Sequence, residues 1–257
     1  RRWEHKIMNI KICFQEEVDS TNLYAKRMAE EGAPEGTLAL ADAQTAGRGR
    51  RGRSWDSPKG ESIYMSLLLR PKILPEHASQ LTLVMGLSVA EGVADVLHLP
   101  VQIKWPNDVV VDGKKICGIL TEMSAGMDGI HYIVIGVGIN VNNQKFPEEL
   151  KSVATSLRIA AGKILDRQTV MRGVLDAFSR NYECFLETEN FEGLVEAYNR
   201  ILANRDHQVR VLDPKNPFEG IARGINEHGE LLVERQDGEI IAVYAGEVSV
   251  RGLYSYV

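Results

Sequence analysis

Runs of apolar residues divide the chain into two regions of different pattern. Up to about residue 204, short runs rich in β-branched and other apolar residues predict strands. They cover residues 10–18, 37–43, 62–69, 101–104, 109–111, 115–123 and 131–141. Helical periodicity predicts helices over residues 20–31, 75–97, 167–186 and 191–202. The helix over residues 75–97 is expected to be the longest. Because it is apolar on more than one face, it should be buried against the sheet.

From Asp206 onward the pattern changes to short strands separated by turns. Strands are predicted over residues 208–212, 218–225, 231–234 and 240–244, with Asp-Pro, His-Gly and Asp-Gly turns between them. This spacing is typical of a small β-barrel of about 50 residues. The sequence therefore predicts an α+β fold: a mixed sheet packed with helices in residues 1–204, then a small β domain in residues 205–257.

Composition and charge argue against several classes of protein. The net charge of −5 argues against a chain that is a nucleic-acid-binding surface throughout. No run approaches the roughly 20 apolar residues of a membrane span, and residues 1–10 lack the apolar core of a signal peptide. Cys13, Cys117 and Cys184 lie far apart, and the histidines show no zinc-ligand spacing. We therefore expect reduced thiols in a cytoplasmic protein that contacts no membrane.

Positive charge is concentrated in one loop. Residues 44–55 read Gln-Thr-Ala-Gly-Arg-Gly-Arg-Arg-Gly-Arg-Ser-Trp. The glycines allow the backbone to turn several N–H groups toward one point, and guanidinium groups grip carboxylates or phosphates with paired hydrogen bonds. Trp55 follows at once, and its ring suits a nucleotide base or another flat ligand. We interpret the loop as an anion-binding loop; the alternative is a solvated or nucleic-acid-binding basic loop.

Polar residues also interrupt two apolar strands at Lys104-Trp105-Pro106-Asn107-Asp108. Asn107 and Asp108 alone would suit an Asx-turn. Such a turn does not require the lysine and the tryptophan that precede it. Asp108 has the chemistry to accept a metal ion or a ribose hydroxyl, and Asn107 to hydrogen-bond a phosphate or an amide.

Two later strands carry further candidates. Lys115 follows an Asp-Gly hairpin turn and leads into an apolar run, so it is either an exposed hairpin lysine or a cation at the mouth of a buried strand. Gly118 allows a ligand to approach that strand closely. Gly136 and Gly138 let a ligand lie flat on the next strand, with Asn140 at its edge.

Taken in this order, the segments resemble the biotin–protein ligase family from about residue 15 to the C-terminus. The motifs are Asp19-Ser20-Thr21-Asn22, Gln44 with the loop 47–52, residues 104–108, Lys115-Ile116-Cys117-Gly118-Ile119, and residues 136–140. Gly246-Glu247-Val248-Ser249 and Arg251 look like the family's last strand. The resemblance implies a catalytic domain related to class II aminoacyl-tRNA synthetases, followed by an SH3-like barrel.

The resemblance also implies roles for individual residues. The implied biotin contacts are Ser20, Thr21, Asn22, Gln44, Arg48, Gly49, Arg50, Lys115, Gly118 and Gly136. The implied ATP contacts are Arg50, Arg51, Trp55, Asn107, Asp108, Lys115 and Asn140, with residues 141–157 folding over the nucleotide. Lys115 and Arg50 would be catalytic, and Asp108 would hold Mg²⁺.

The implied reaction suits cationic side chains. When a carboxylate attacks the α-phosphate of ATP, two anions meet and cations must neutralise both. Biotinyl-5'-AMP and pyrophosphate would form, and a lysine of a biotin carboxyl carrier protein, a domain of acetyl-CoA carboxylase or a related carboxylase, would then displace AMP. A closing loop would shield the mixed anhydride from water. Homodimers and carrier docking along a strand edge are left open.

Three alternatives to this function stay open. A lipoate–protein ligase or octanoyltransferase of similar fold would turn over lipoate or octanoate. A regulatory module would bind biotin or an adenylate without releasing pyrophosphate. An RNA-binding protein would use the arginine loop and bind with a steep salt dependence. Some members of the resembled family carry an N-terminal helix-turn-helix domain, but too few residues precede Val18 to hold one. We therefore expect no nucleic-acid contact from this chain.

Overall fold

The computed structural model describes residues 8–245, 249–252 and 256–257 of the chain. Its strands are β1 (Lys11–Val18), β2 (Thr37–Gln44), β3 (Ile63–Leu69), β4 (Val101–Lys104), β5 (Asp108–Val111), β6 (Lys114–Gly126), β7 (Gly129–Ile139), β8 (Gln208–Leu212), β9 (Phe218–Ile225), β10 (Leu231–Glu234), β11 (Ile240–Val243) and β12 (Ser249–Gly252). Its helices are α1 (Thr21–Glu30), α2 (Gln80–Leu97), α3 (Leu157–Ala161), α4 (Arg167–Thr188) and α5 (Val195–Arg200). Single 3-10 turns cover Arg50–Gly52, Pro75–His77, Glu148–Leu150 and Glu192–Leu194.

Strands β1 to β7 form one mixed sheet in the order β1-β2-β3-β7-β6-β5-β4, in which β1 and β2 pair in parallel and the other neighbours are antiparallel. Every residue of β3 is buried, as expected for a continuous apolar run with helices on both faces. Helix α1 packs against one face of β2, β3 and β7, and α2 packs against the other face and against α4. The α+β fold predicted from the sequence is confirmed.

Residues 75–97 correct two expectations from the sequence. Helix α2 has 18 residues and α4 has 22, so the prediction that this segment forms the longest helix was wrong. The segment Pro75–Leu97 is also long and apolar enough, by length and composition, to cross a membrane, contrary to our expectation. Its apolar side chains pack inside the protein instead, between the sheet and α4, and 67% of its most apolar 18 residues are buried. A Cβ on Gly92 would lie 2.6 Å from the backbone of Gly173 on α4, so the two helices meet closely there.

Strands β8 to β12 form a second, antiparallel sheet in the order β11-β10-β9-β8-β12. This confirms the small β domain, although residues 246–248 of the expected last strand lie outside the described residues. The domain boundary near residue 204 stays a prediction. Trp105 joins the two parts, because its fully buried indole N–H donates a hydrogen bond of 3.0 Å to the carbonyl of Gly229. The predicted helix over residues 191–202 is broken into a 3-10 turn and the short α5.

Candidate active site

Two clefts meet beside the arginine loop. The small cleft has an empty volume of about 470 Å³ and is lined only by residues from the range 20–138. The large cleft has an empty volume of about 1370 Å³ and is lined by residues from Gly49 to Tyr256. Five residues line both clefts and therefore form the junction between them: Gly49, Arg50, Trp55, Asn107 and Lys115.

The sequence-predicted contacts divide between these clefts as expected for two substrates. All ten residues predicted to contact biotin line the small cleft: Ser20, Thr21, Asn22, Gln44, Arg48, Gly49, Arg50, Lys115, Gly118 and Gly136. All seven residues predicted to contact ATP line the large cleft: Arg50, Arg51, Trp55, Asn107, Asp108, Lys115 and Asn140. The fold therefore brings together motifs that are up to 120 positions apart in the chain, since Ser20 and Asn140 belong to adjoining clefts.

A chain of hydrogen bonds forms the floor of the small cleft. The side-chain amide of Gln44 donates to Ser57 Oγ at 2.9 Å, while its Oε1 accepts the backbone N–H of Thr21 at 2.9 Å. The hydroxyl of the fully buried Ser66 lies 2.8 Å from Thr21 Oγ1 and 2.6 Å from Asn22 Oδ1. Because these groups hold one another, the polar wall of this cleft is ordered before any ligand arrives.

The position of Asn22 follows from its partners. Its amide nitrogen donates to the carbonyl of Leu120 at 3.2 Å and to Glu122 Oε2 at 2.9 Å, which uses both of its N–H groups. Its Oδ1 faces Gly136 so closely that a Cβ on that glycine would overlap it. Asn22 therefore presents an acceptor, not a donor, to the cleft, which suits an N–H group of a ligand.

The arginine loop is a compact hairpin. Gly47 accepts the backbone N–H of Trp55 at 2.9 Å, and the N–H of Gly49 donates to the carbonyl of Arg53 at 2.7 Å. Arg51 has a φ of 56°, in the left-handed region, and this turns the chain at the tip. The hairpin thereby places successive arginines over different parts of the site.

Trp55 lies at the junction of the clefts. Gly118 and Gly138 are register partners on β6 and β7, and a Cβ on either would come within 2.8 Å of the indole ring. The glycines that were expected to admit a ligand thus admit Trp55 in this structure. Its indole N–H is buried and makes no hydrogen bond, so the ring is held by packing and by the ammonium of Lys115, 5.2 Å from the ring centroid.

Cations surround the junction on the side of the large cleft. Arg50 donates from Nη1 to Asn107 Oδ1 at 3.0 Å, and burial, together with the charge of Arg51, lowers the pKa of its guanidinium from the ordinary value. Lys115 lies 2.8 Å from the carboxylate of Asp108. A guanidinium and an ammonium that are partly withdrawn from water are suited to neutralising a carboxylate and a phosphate that meet between them.

Asp108 is the buried anion of this group. Burial by itself would raise its pKa, but the ammonium groups of Lys115 and Lys104 outweigh that effect and hold the pKa below the usual range. The hydroxyl of Tyr256 also hydrogen-bonds its Oδ2. Burial in turn lowers the pKa of Lys104 to about 8, and its ammonium lies 4.1 Å from the centroid of the Tyr256 ring.

The residues beside Asp108 do not form a magnesium site by themselves. One oxygen of Asp108 pairs with Lys115 and the other with Tyr256, and the nearest further charges are positive. Within residues 8–245, 249–252 and 256–257, no group of three or more His, Cys, Asp and Glu side chains is placed to hold a metal. The assignment of Mg²⁺ to Asp108 stays a prediction.

Residues 141–157 form one wall of the large cleft. The side-chain amide of Asn140 donates to the carbonyl of Thr155 at 3.2 Å, and the backbone of Lys115 exchanges hydrogen bonds with Val153 and Thr155. The wall carries Phe146 and Pro147, which provide an apolar surface in an otherwise cationic cleft. Asn140 therefore anchors this wall as well as lining the cleft.

Several residues that line the clefts, or that hold a lining residue in place, were missed by sequence reasoning. They are Ser66, Lys104, Glu122, Arg251 and Tyr256. Lys104 lay inside a motif we singled out, but no role was assigned to it. Ser66 and Glu122 lie in strands whose apolar pattern concealed them. Arg251 and Tyr256 come from the C-terminal part of the chain, and no local signal connects them to the large cleft.

Two family models match the chain. The model for the biotin/lipoate A/B protein ligase family matches residues 14–140, and the model for the biotin protein ligase C-terminal domain matches residues 206–251. The first match contains the arginine loop, Lys115 and the register partners Gly118 and Gly138.

Individual relatives and structures agree with these models. The chain is 39% identical over 247 residues to the bifunctional ligase/repressor BirA of Bacillus spizizenii, covering 95% of this chain and 75% of that protein. It is 33% identical to the biotin–[acetyl-CoA-carboxylase] ligase of Mycobacterium tuberculosis, covering 89% and 85% of the two chains. The structure of a biotin protein ligase from Aquifex aeolicus in complex with biotin and ATP superposes with a TM-score of 0.84 at 36% identity, covering 94% and 98%.

Proposed function

Since the chain belongs to the biotin/lipoate A/B protein ligase family and carries the biotin protein ligase C-terminal domain, we propose that it activates biotin with ATP and transfers it to a carrier protein. The observation that supports this most directly is the junction of the two clefts at Arg50 and Lys115. A small cleft with a polar floor opens onto a larger cationic cleft, so a carboxylate held in the first can meet a triphosphate held in the second.

The small cleft is assigned to biotin. The Asn22 acceptor, the hydroxyl of Ser20 and the Gln44–Thr21 pair are polar groups of the kind that bind a cyclic urea. Ser20 occupies the N-cap position of α1, but its side chain makes no capping hydrogen bond to the helix, which leaves its hydroxyl for this contact. The biotin carboxylate would lie toward Arg48, Gly49 and Arg50, because these residues bring positive charge and a backbone N–H to the exit of the cleft.

The large cleft is assigned to ATP. Arg51, Asn107 and Asn140 would contact the nucleotide, with Trp55 beside it. Lys115 and Arg50 would neutralise the charge that develops as a biotin carboxylate oxygen attacks the α-phosphorus and pyrophosphate leaves. Magnesium would supply further charge neutralisation when it arrives with the triphosphate, as is usual for this ion. A lysine amine of the carrier would then attack the biotinyl carbonyl, and AMP would leave with the electrons of the broken C–O bond.

The remaining assignments extend this proposal. The carrier would be a biotin carboxyl carrier protein, such as the biotinylated domain of acetyl-CoA carboxylase. Cys13, Cys117 and Cys184 are all free thiols, which supports a cytoplasmic enzyme. A homodimer, and the lack of contact with membranes and nucleic acid, stay predictions.

Calorimetric titration with biotin followed by pyrophosphate release on adding Mg-ATP tests the proposal. We expect saturable binding of biotin and release that depends on biotin. Binding without release would favour a sensor over a ligase. Parallel titrations with lipoate and octanoate serve as controls, and turnover of either in place of biotin would overturn the substrate assignment.

A further inference from the structure

Glu122 lines neither cleft, yet it contacts two residues that line the small one, Asn22 and Arg48. It is on β6, and its side chain is 19% exposed. Its carboxylate accepts a hydrogen bond of 2.9 Å from Asn22 and one of 2.8 Å from the ammonium of Lys26, both on α1. The guanidinium of Arg48, in the arginine loop, lies 3.2 Å from the same carboxylate.

These contacts give Glu122 a stable negative charge. Burial opposes ionisation, but the hydrogen bonds from Lys26 and Asn22 and the charge of Arg48 hold its pKa below the usual range. The carboxylate is therefore ionised at neutral pH and available to both cations. Arg48 is 43% exposed, so its contact with Glu122 is a surface-facing attachment and not part of the core.

The arginine loop is held to the sheet at a second point as well. Arg50 donates to Asn107, which in turn donates to the carbonyl of Ile119 on β6 at 3.2 Å. The Arg50 attachment lies at the junction of the clefts, among residues assigned to the substrates. The Arg48 attachment is separate from this junction, and its partner Glu122 lines neither of the two clefts.

We propose that Glu122 is a positioning residue that latches the arginine loop over the small cleft and, through the same carboxylate, fixes the Asn22 amide. Glu122 thereby couples closure of the arginine loop to the orientation of Asn22, whose Oδ1 is the hydrogen-bond acceptor of the small cleft. The inference rests on the proposed function for its substrate, biotin, but the latch itself is a property of the ligand-free protein.

Limited digestion with trypsin tests the latch without any ligand. Trypsin cleaves after arginine, and the loop offers four sites between Arg48 and Arg53. In Glu122→Gln we expect cleavage in the loop to be about five-fold faster than in the wild-type protein, near the upper end for a partly exposed ion pair. Lys26→Met is the matched control, because it removes a cation from Glu122 but leaves Arg48 in place. Its loop should be cleaved at the wild-type rate.

A double-mutant cycle on biotin affinity tests the consequence. We expect Arg48→Gln and Glu122→Gln each to raise the Kd for biotin by about five-fold. In the Glu122→Gln background, Arg48→Gln should cost less than half of its wild-type factor. The KM for ATP should stay unchanged in Glu122→Gln. General destabilisation of the fold would instead weaken the binding of biotin and of ATP together.

Each outcome decides between defined alternatives. Equal factors for Arg48→Gln in both backgrounds, with loop cleavage unchanged in Glu122→Gln, would overturn the latch. Cleavage that rises throughout the chain would also overturn it, since that pattern indicates a structural role for Glu122. A wild-type protein that fails to bind biotin would overturn the proposed function, while the cleavage comparison would still decide the latch.

Discussion

The small cleft is formed by the first sheet, the start of α1 and the arginine loop, whereas the large cleft draws on the chain from Gly49 to Tyr256. In the small cleft, the polar groups are paired with one another through Gln44, Thr21, Ser66 and Asn22. In the large cleft, the charges do not pair one to one: several cations surround Asp108. The first arrangement suits the recognition of one shape, and the second suits a highly charged substrate that arrives with its own counter-ion.

Lys115→Ala should give the largest effect, because Lys115 belongs to both clefts. We expect biotin-dependent pyrophosphate release to fall by about 100-fold or more, as when a preorganised group that stabilises transition-state charge is removed. Lys114→Ala is the control, since that neighbouring lysine is exposed. Single-turnover release of pyrophosphate measures both. Wild-type turnover in Lys115→Ala would remove this residue from the reaction.

Gly136→Ala should affect the small cleft alone. The new Cβ would overlap Asn22 Oδ1, so the Kd for biotin should rise by about 10- to 100-fold, the usual cost of overpacking. The KM for ATP should change little. Gly86→Ala on α2 is the control, because a Cβ there meets its nearest neighbour at an ordinary 3.7 Å. If calorimetry finds wild-type biotin binding in Gly136→Ala, the small cleft is not the biotin site.

Arg50→Gly should open the junction. Loss of its charge and of its hydrogen bond to Asn107 should let the adenylate escape before transfer. Biotin should then be attached to bystander proteins about 10-fold faster than by the wild-type protein, as expected when a charge-assisted hydrogen bond is lost. Streptavidin blots of an added unrelated protein give this rate. Labelling at the wild-type level would mean that Arg50 does not retain the intermediate.

Arg251→Ala should affect the large cleft alone. Arg251 reaches that cleft from β12, and its removal should raise the KM for ATP by about five-fold, as for one partly screened contact. The Kd for biotin should stay the same. Arg210→Ala is a close control, because Arg210 is the register partner of Arg251 on β8 but pairs with Glu219 and does not line the large cleft. Equal effects of the two variants would argue against a nucleotide contact from the C-terminal domain.

Lys104 should produce the smallest effect, on the pH profile. Its pKa is lowered to about 8 by burial, so it is charged below pH 8 and neutral above it. The kcat/KM for ATP should therefore fall by about three-fold as the pH rises through 8, a modest change because other charges and salt screen it. In Lys104→Met this inflection should disappear. An unchanged inflection in that variant would assign it to another group.

Much of the fold was predictable because strands and turns leave local signals. The Asp112-Gly113 turn was predicted from two residues, and both have positive φ in the structure, at 51° and 72°. Helix α2 was located correctly. The prediction that it is the longest helix was wrong, because Pro75 begins a separate 3-10 turn. The break before α5 was also missed, since the periodicity of residues 191–202 continues across it.

The sequence by itself determined the strand and helix segments and the chemistry of the arginine loop, because each depends on residues close together in the chain. The candidate residues of both clefts came from the resemblance of its motifs to a known family. Only the tertiary structure decided which side chains hold those residues in place. Glu122 lies 100 positions from Asn22, and Tyr256 lies 148 positions from Asp108. Their contacts depend on the order and register of the strands, and a strand's own pattern of apolar residues does not specify which distant polar group it will face.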